Sequence, residues 1–121
     1  MDAYLKWLEQ SVAARLAEVA PVVFVRAHLQ WTADAARLEA ISAAGCELTG
    51  RWLNARPARR DVTGNAAAGS LNTLLEFEQG QSALVSSELA RSVEPQTQIL
   101  IVGRHGTVRF DDFPEPEWLA Q

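Results

Sequence analysis

Residues 99–110 read "ILIVGRHGTVRF". Ile99 to Val102 and Thr107 to Phe110 are two short runs rich in β-branched and apolar residues, with Gly103 and Gly106 bracketing Arg104 and His105. Glycines at both ends of such a break tolerate positive φ, so the chain is expected to reverse there and pair with itself as a hairpin. A second hairpin signal lies upstream in "SLNTLLEFEQGQSALVSSEL", residues 70–89, where two alternating runs meet at Gln79-Gly80. In the first run Leu71, Thr73, Leu75 and Phe77 share a face opposite Asn72, Leu74, Glu76 and Glu78. In the second, Ala83, Val85, Ser87 and Leu89 oppose Leu84, Ser86 and Glu88.

The N-terminal half has a different period. In "DAYLKWLEQSVAARLAEVAP", residues 2–21, Leu5, Leu8, Val12, Leu16 and Val19 recur at steps of three and four. They predict a helix capped by Asp2 and ended by Pro21. Trp7 lies off that stripe. "VVFVRAHLQW", residues 22–31, then alternates. Val23, Val25, Ala27, Leu29 and Trp31 make one apolar face, and Val22, Phe24, Arg26, His28 and Gln30 a mixed one. Residues 32–56 return to helical spacing through Leu38, Ile41, Gly45, Leu48 and Trp52, with Thr32 or Asp34 as cap and Glu47–Arg51 as an i, i+4 pair. Gly45 and Gly50 weaken this helix by about 1 kcal/mol each relative to alanine, which points to a break or to close packing. "NARPARRD", carrying Arg56, Arg59 and Arg60, reads as a solvated loop, and "GNAAAG", residues 64–69, as a turn. The tail "DDFPEPEWLAQ" reads as extended, anchored by Trp118 and Leu119.

Helix, strand, helix and then a run of strands argue for one α+β domain over residues 1–121, with a largely antiparallel sheet. Helices cover one face, and the mixed face is left to solvent or to an interface. The 121-residue length and 48% hydrophobic content suit a single core. A net charge of −4 provides no broad cationic field, so neither nucleic acid nor a membrane surface is an expected partner. The single cysteine, Cys46, excludes an intrachain disulfide and agrees with a reducing, cytoplasmic setting. It is expected to act as a small buried hydrophobe.

Chemistry is sparse. "GNAAAG" lacks the preceding buried strand and following helix of a phosphate loop. His28 and His105 lack metal-ligand spacing, so no metal site and no catalytic residue is assigned. Glu76 and Glu78 stand two apart on one strand, the pattern of a wetted face. Arg26, His28 and Gln30 are the candidate ligand-contacting trio.

The β half, "LNTLLEFEQGQSALVSSELARS" followed by "QILIVGRHGTVRFDD", resembles the C-terminal domain of the glucose–fructose oxidoreductase / inositol dehydrogenase family. The resemblance rests on Phe77-Glu78-Gln79-Gly80, on the small-residue run Ala83 to Ser87, and on Gly103-Arg104-His105-Gly106 with its apolar then acidic exit to Asp111. It extends upstream to "ELTGRWLNARP", residues 47–57. It implies a sheet face used in oligomer contacts, built here from Val22, Phe24, Leu74 and Leu84. It also implies a Rossmann domain and catalytic lysine motif that this sequence does not contain. The family's catalytic His and Asp would fall near Gly45 and Leu48, which transfer no proton.

Three functions follow as expectations. The first is a non-catalytic oxidoreductase-type domain that self-associates or docks a partner. The second is the substrate-site half of an NAD(P)-dependent dehydrogenase whose Rossmann domain sits on a partner chain, or of which this sequence is one piece, with NAD(P) bound only by that Rossmann domain. The third is a small helix-and-sheet cone, like nuclear-transport-factor-type domains, enclosing a ligand.

Overall fold

The computed structural model describes residues 2–90 and 96–112. Helix α1 (Asp2–Ala13) leads through a 3-10 turn at Leu16–Glu18 into strand β1 (Val22–Thr32). A second 3-10 turn, Ala35–Arg37, opens helix α2 (Leu38–Leu53). Five strands follow: β2 (Pro57–Asn65), β3 (Ser70–Phe77), β4 (Ser82–Leu89), β5 (Gln96–Gly103) and β6 (Gly106–Asp112). They form one open sheet in the order β2-β3-β4-β1-β5-β6, antiparallel throughout except for β1 beside β4. The Asp2 cap, and the Trp118 and Leu119 anchors, fall on side chains outside the described residues.

Both helices lie on one face, as the alternation of β1 requires. Helix α2 packs on β1, β4 and β3. Its stripe Leu38, Ile41, Gly45, Leu48 and Trp52 is buried against them. Gly45 is the point of closest approach: a Cβ there would lie 2.7 Å from Leu29 Cδ1 and 2.8 Å from Val85 Cγ1. Asp34 caps the entry by accepting from the Ala36 N–H at 3.0 Å, and Thr32 Oγ1 accepts from the Asp34 N–H. Asn54, at φ 50°, closes the exit in the left-handed conformation.

Helix α1 covers the β5–β6 side. Leu8 and Val12 enter the core, and Trp7 packs against Phe110 of β6 with ring centroids 5.7 Å apart and the planes tilted by 59°. Thr97 of β5 ties the layers together. Its hydroxyl accepts from Trp31 Nε1 at 2.8 Å and shares a hydrogen bond with the Tyr4 hydroxyl. An indole N–H buried without such an acceptor would be costly.

Three expectations are corrected. Helix α1 ends at Ala13 rather than running to Pro21. A residue before proline avoids the α region, and the segment 19–21 is used instead to hold the β5–β6 turn. Arg104 N–H donates to the Pro21 carbonyl and His105 N–H to that of Val19. "NARPARRD" is not a loop, because Arg59 and Arg60 belong to β2. All nine β2 residues are exposed, since β2 is an edge strand that pairs, among the described residues, only with β3 and lies beyond the helices. Its backbone ladder holds it, not burial. Val22 does not join Phe24 on the open face. The register shifts between them, and Val22 belongs to the core.

The turn glycines also divide their work. Gly106 takes φ 139°, whereas Gly103 is needed for space, because a Cβ there would meet the Val19 carbonyl oxygen at 1.8 Å.

Candidate functional site

The sheet face opposite α1 and α2 carries a grid of side chains set by strand register. One row runs Asp61, Leu74, Leu84, Arg26, Leu100, Arg109 across all six strands. The next runs Thr63, Asn72, Ser86, His28, Gln98, Asp111, and a third holds Glu76, Ser82, Phe24, Val102 and Thr107. Phe24, Leu84, Leu100 and Val102 are half-buried, and Leu74 is 40% exposed. Leu74 and Leu84 are direct cross-strand partners, so two of the expected interface residues touch the same spot from β3 and β4.

Arg26, His28 and Gln30 do share this face, but they do not act as one trio. Glu88 of β4 joins two of them: its Oε2 accepts from Gln30 Nε2 at 3.3 Å and lies 3.5 Å from His28 Nε2. His28 Nε2 is itself buried without a hydrogen bond of good geometry. Glu88 was visible on the polar side of its strand. Its place beside His28 depends on β1 and β4 running parallel, which no local pattern announces.

Arg26 instead faces a hollow of about 130 Å³ lined by His28, Gln98, Leu100, Arg109 and Asp111. His105 is exposed in its turn; Glu76 is exposed on β3, as expected of a wetted strand face, whereas Glu78 lies in the turn after β3 ends at Phe77 and is exposed there. Among the described residues no group of three His, Cys, Asp or Glu side chains is placed to hold a metal ion.

On the helix side, Gly45 and Leu48 lie on the sheet-facing side of α2, and Leu48 is 4% exposed. The positions where the family resemblance puts catalytic His and Asp are therefore occupied by core packing. Cys46 is half-buried in a groove of about 790 Å³ between α2 and β2, beside Arg60. Burial pushes its thiol above the ordinary value. The Arg60 charge and hydrogen bonds with Thr73 and Ser42 pull the other way. The thiol is thus kept protonated, the inert state for a cysteine. The segment 64–69 links two antiparallel strands through the 3-10 turn Ala66–Ala68, closed by Asn65 Oδ1 accepting from the Ala68 N–H at 2.8 Å. It aims no helix N-terminus outward and does not fit a dinucleotide pyrophosphate.

No family model matches the sequence, and no curated protein matches it. Solved structures do. A Sinorhizobium meliloti 1021 protein assigned as a myo-inositol dehydrogenase superposes at a TM-score of 0.73 and 12% identity, over 89% of this chain and 39% of its own. The chain has the fold of an inositol-dehydrogenase C-terminal domain. Scyllo-inositol dehydrogenase from Lactobacillus casei, with NAD(H) and scyllo-inositol bound, gives a TM-score of 0.63 at 12% identity over 92% of this chain and 39% of that one. GenD2 from gentamicin A biosynthesis, in complex with NAD, gives 0.58 at 24% identity over 85% and 35%. The chain therefore spans well under half the length of the proteins it superposes on. Among its described residues no helix is long and apolar enough to cross a membrane.

Proposed function

We propose that this domain is a self-associating module, with the open sheet face covered by a second copy of the chain. The observation that carries the reading is the apolar band Phe24, Leu84, Leu100 and Val102, extended by Leu74, on a sheet whose other face is already filled by helices. Contiguous apolar surface of this kind marks an interaction site. Five strand spacings of ~4.8 Å and seven residues at ~3.3 Å give a face of roughly 550 Å² in projection, before side-chain relief is counted. That approaches the ~800 Å² per partner of a standard interface. Charge supports a like partner too, since Arg26 and Arg109 share the face with Glu88 and Asp111, so a two-fold pairing can oppose unlike signs.

The test is solution mass by light scattering for wild type and Leu84→Lys. The introduced ammonium would stand directly beside Arg26, and a like-charge pair desolvated in an interface core costs several kcal/mol, or at least about a hundredfold in association. A wild-type dimer reduced to a monomer supports the reading. A wild-type monomer at every concentration overturns it.

A second reading is favoured by the 39% coverage of longer dehydrogenases: the substrate-side half of an NAD(P)-dependent enzyme whose nucleotide-binding domain is on another chain or in a further part of a longer one. The cofactor would then be held by that domain, since the segment 64–69 does not fit it. This reading expects a monomer when the chain is alone. The cone-like ligand carrier is not supported, because the helix-covered face is packed solid: Val25, Ala27, Leu29, Thr73 and Val85 are at most 1% exposed.

A further inference from the structure

We infer that the hollow between β1, β5 and β6 is a binding site for a phosphate group that still carries a proton. Arg26 and Arg109 stand in one row with Leu100 between them, so their Cα atoms are about two strand spacings, ~10 Å, apart. Arginine arms of that reach can converge over Leu100. Neither guanidinium has a carboxylate within ion-pair distance or a side-chain hydrogen bond among the described residues, whereas Arg15, Arg51 and Arg59 each do.

Two planar guanidinium forks suit an oxyanion, which each can hold by paired N–H donors. The Gln98 amide lines the same hollow and supplies a further neutral donor. The volume, about 130 Å³, equals roughly four waters at ~30 Å³ each, the scale of a single phosphate group.

Asp111 also lines the hollow, and this sets the specificity. An ionised carboxylate repels an anion unless that anion offers it a hydrogen. Hydrogenphosphate has a P–OH to donate, and sulfate at neutral pH has none. The site therefore selects phosphate over sulfate. It is a property of the single chain, and a second copy seated on the open face would compete for the same arginines, so phosphate binding and association should oppose each other.

The experiment is an NMR titration of the full chain with inorganic phosphate, methyl phosphate and sodium sulfate at pH 7 and constant ionic strength, with the mass followed in parallel by light scattering. Phosphate is expected to give saturable shifts at the Gln98 side-chain amide and at Arg26 and Arg109 Nε. Sulfate is expected to bind at least about tenfold more weakly. Arg26→Gln or Arg109→Gln should each weaken phosphate binding about tenfold or more. Asp111→Asn should narrow the gap between phosphate and sulfate by strengthening sulfate binding, a gain that mere loss of structure would not produce. At pH 7 methyl phosphate is mostly the dianion without a P–OH, so it is expected to bind about as weakly as sulfate there and to gain affinity when the pH is lowered to about 5.5. Methyl phosphate binding as tightly as phosphate at pH 7 would overturn the requirement for a proton. Equal, non-saturating responses to phosphate and sulfate, or phosphate binding unchanged in Arg26→Gln, would overturn the assignment.

Discussion

Two glycines about one and a half turns apart in α2 should respond to alanine with opposite signs. Replacing a helical glycine by alanine gains about 1 kcal/mol of propensity at an interior position. At Gly45 that gain meets two walls. Carbon atoms pack at about 3.5–4.0 Å, and the new Cβ would lie 2.7 Å from Leu29 Cδ1 and 2.8 Å from Val85 Cγ1. Neither wall can yield outward, because Leu29 is 1% exposed and Val85 is fully buried. Val85 is also β-branched, on a strand paired on both sides with Ala27 and Thr73. Overpacking of this kind costs about 1–3 kcal/mol. Gly45→Ala should therefore lose about 1 kcal/mol net, or somewhat more. At Gly50 the same atom would lie 3.6 Å from the Ala55 carbonyl oxygen and 3.8 Å from Phe77 Cε1, ordinary contacts. Gly50→Ala should gain up to about 1 kcal/mol. Urea unfolding at low protein concentration, where association contributes little, measures both. The two variants should bracket wild type by about 2 kcal/mol, or roughly 8 °C in Tm. If Gly45→Ala proves as stable as Gly50→Ala, α2 does not sit on Leu29 and Val85 as described, and the reasoning fails.

Other outcomes follow from the same structure. Thr97→Val keeps the shape but removes the acceptor of Trp31 Nε1 and the partner of the Tyr4 hydroxyl; it should cost about 2 kcal/mol, and an unchanged urea midpoint would count against the tie between layers. The Cys46 thiol should alkylate more slowly in the folded chain than in urea at equal pH, and a faster folded rate would contradict its burial. Because its proton is held more tightly when folded, its contribution to stability is complete below the ordinary thiol value and fades as pH rises through the raised one. Cys46→Ala should accordingly flatten the alkaline loss of stability, and an identical alkaline profile would show the thiol to be unburied.

The sequence carried the parts of the fold in which burial follows a period. β1 was readable from Val25, Ala27, Leu29 and Trp31, α2 from Leu38 to Trp52, and both hairpins from glycines between alternating runs. β2 was not, since Val62 is its one large apolar residue and an edge strand needs no buried face. Val22 was misplaced because a register shift breaks strict alternation. The site was legible only strand by strand. That Arg26, His28 and Gln30 share a face could be read from spacing. That Glu88 meets His28, or that Arg109 joins Arg26 across Leu100, is a property of strand order, which depends on how distant segments pair.

The central claim is that the open face is where the chain meets a second copy of itself. Amide and methyl chemical shifts followed from micromolar to millimolar concentration test it directly. Self-association through the sheet predicts concentration-dependent shifts confined to Phe24, Leu84, Leu100, Val102 and their row neighbours, with the outer faces of α1 and α2 unchanged. Shifts on the helices with a silent sheet face, or no concentration dependence at all, would contradict it.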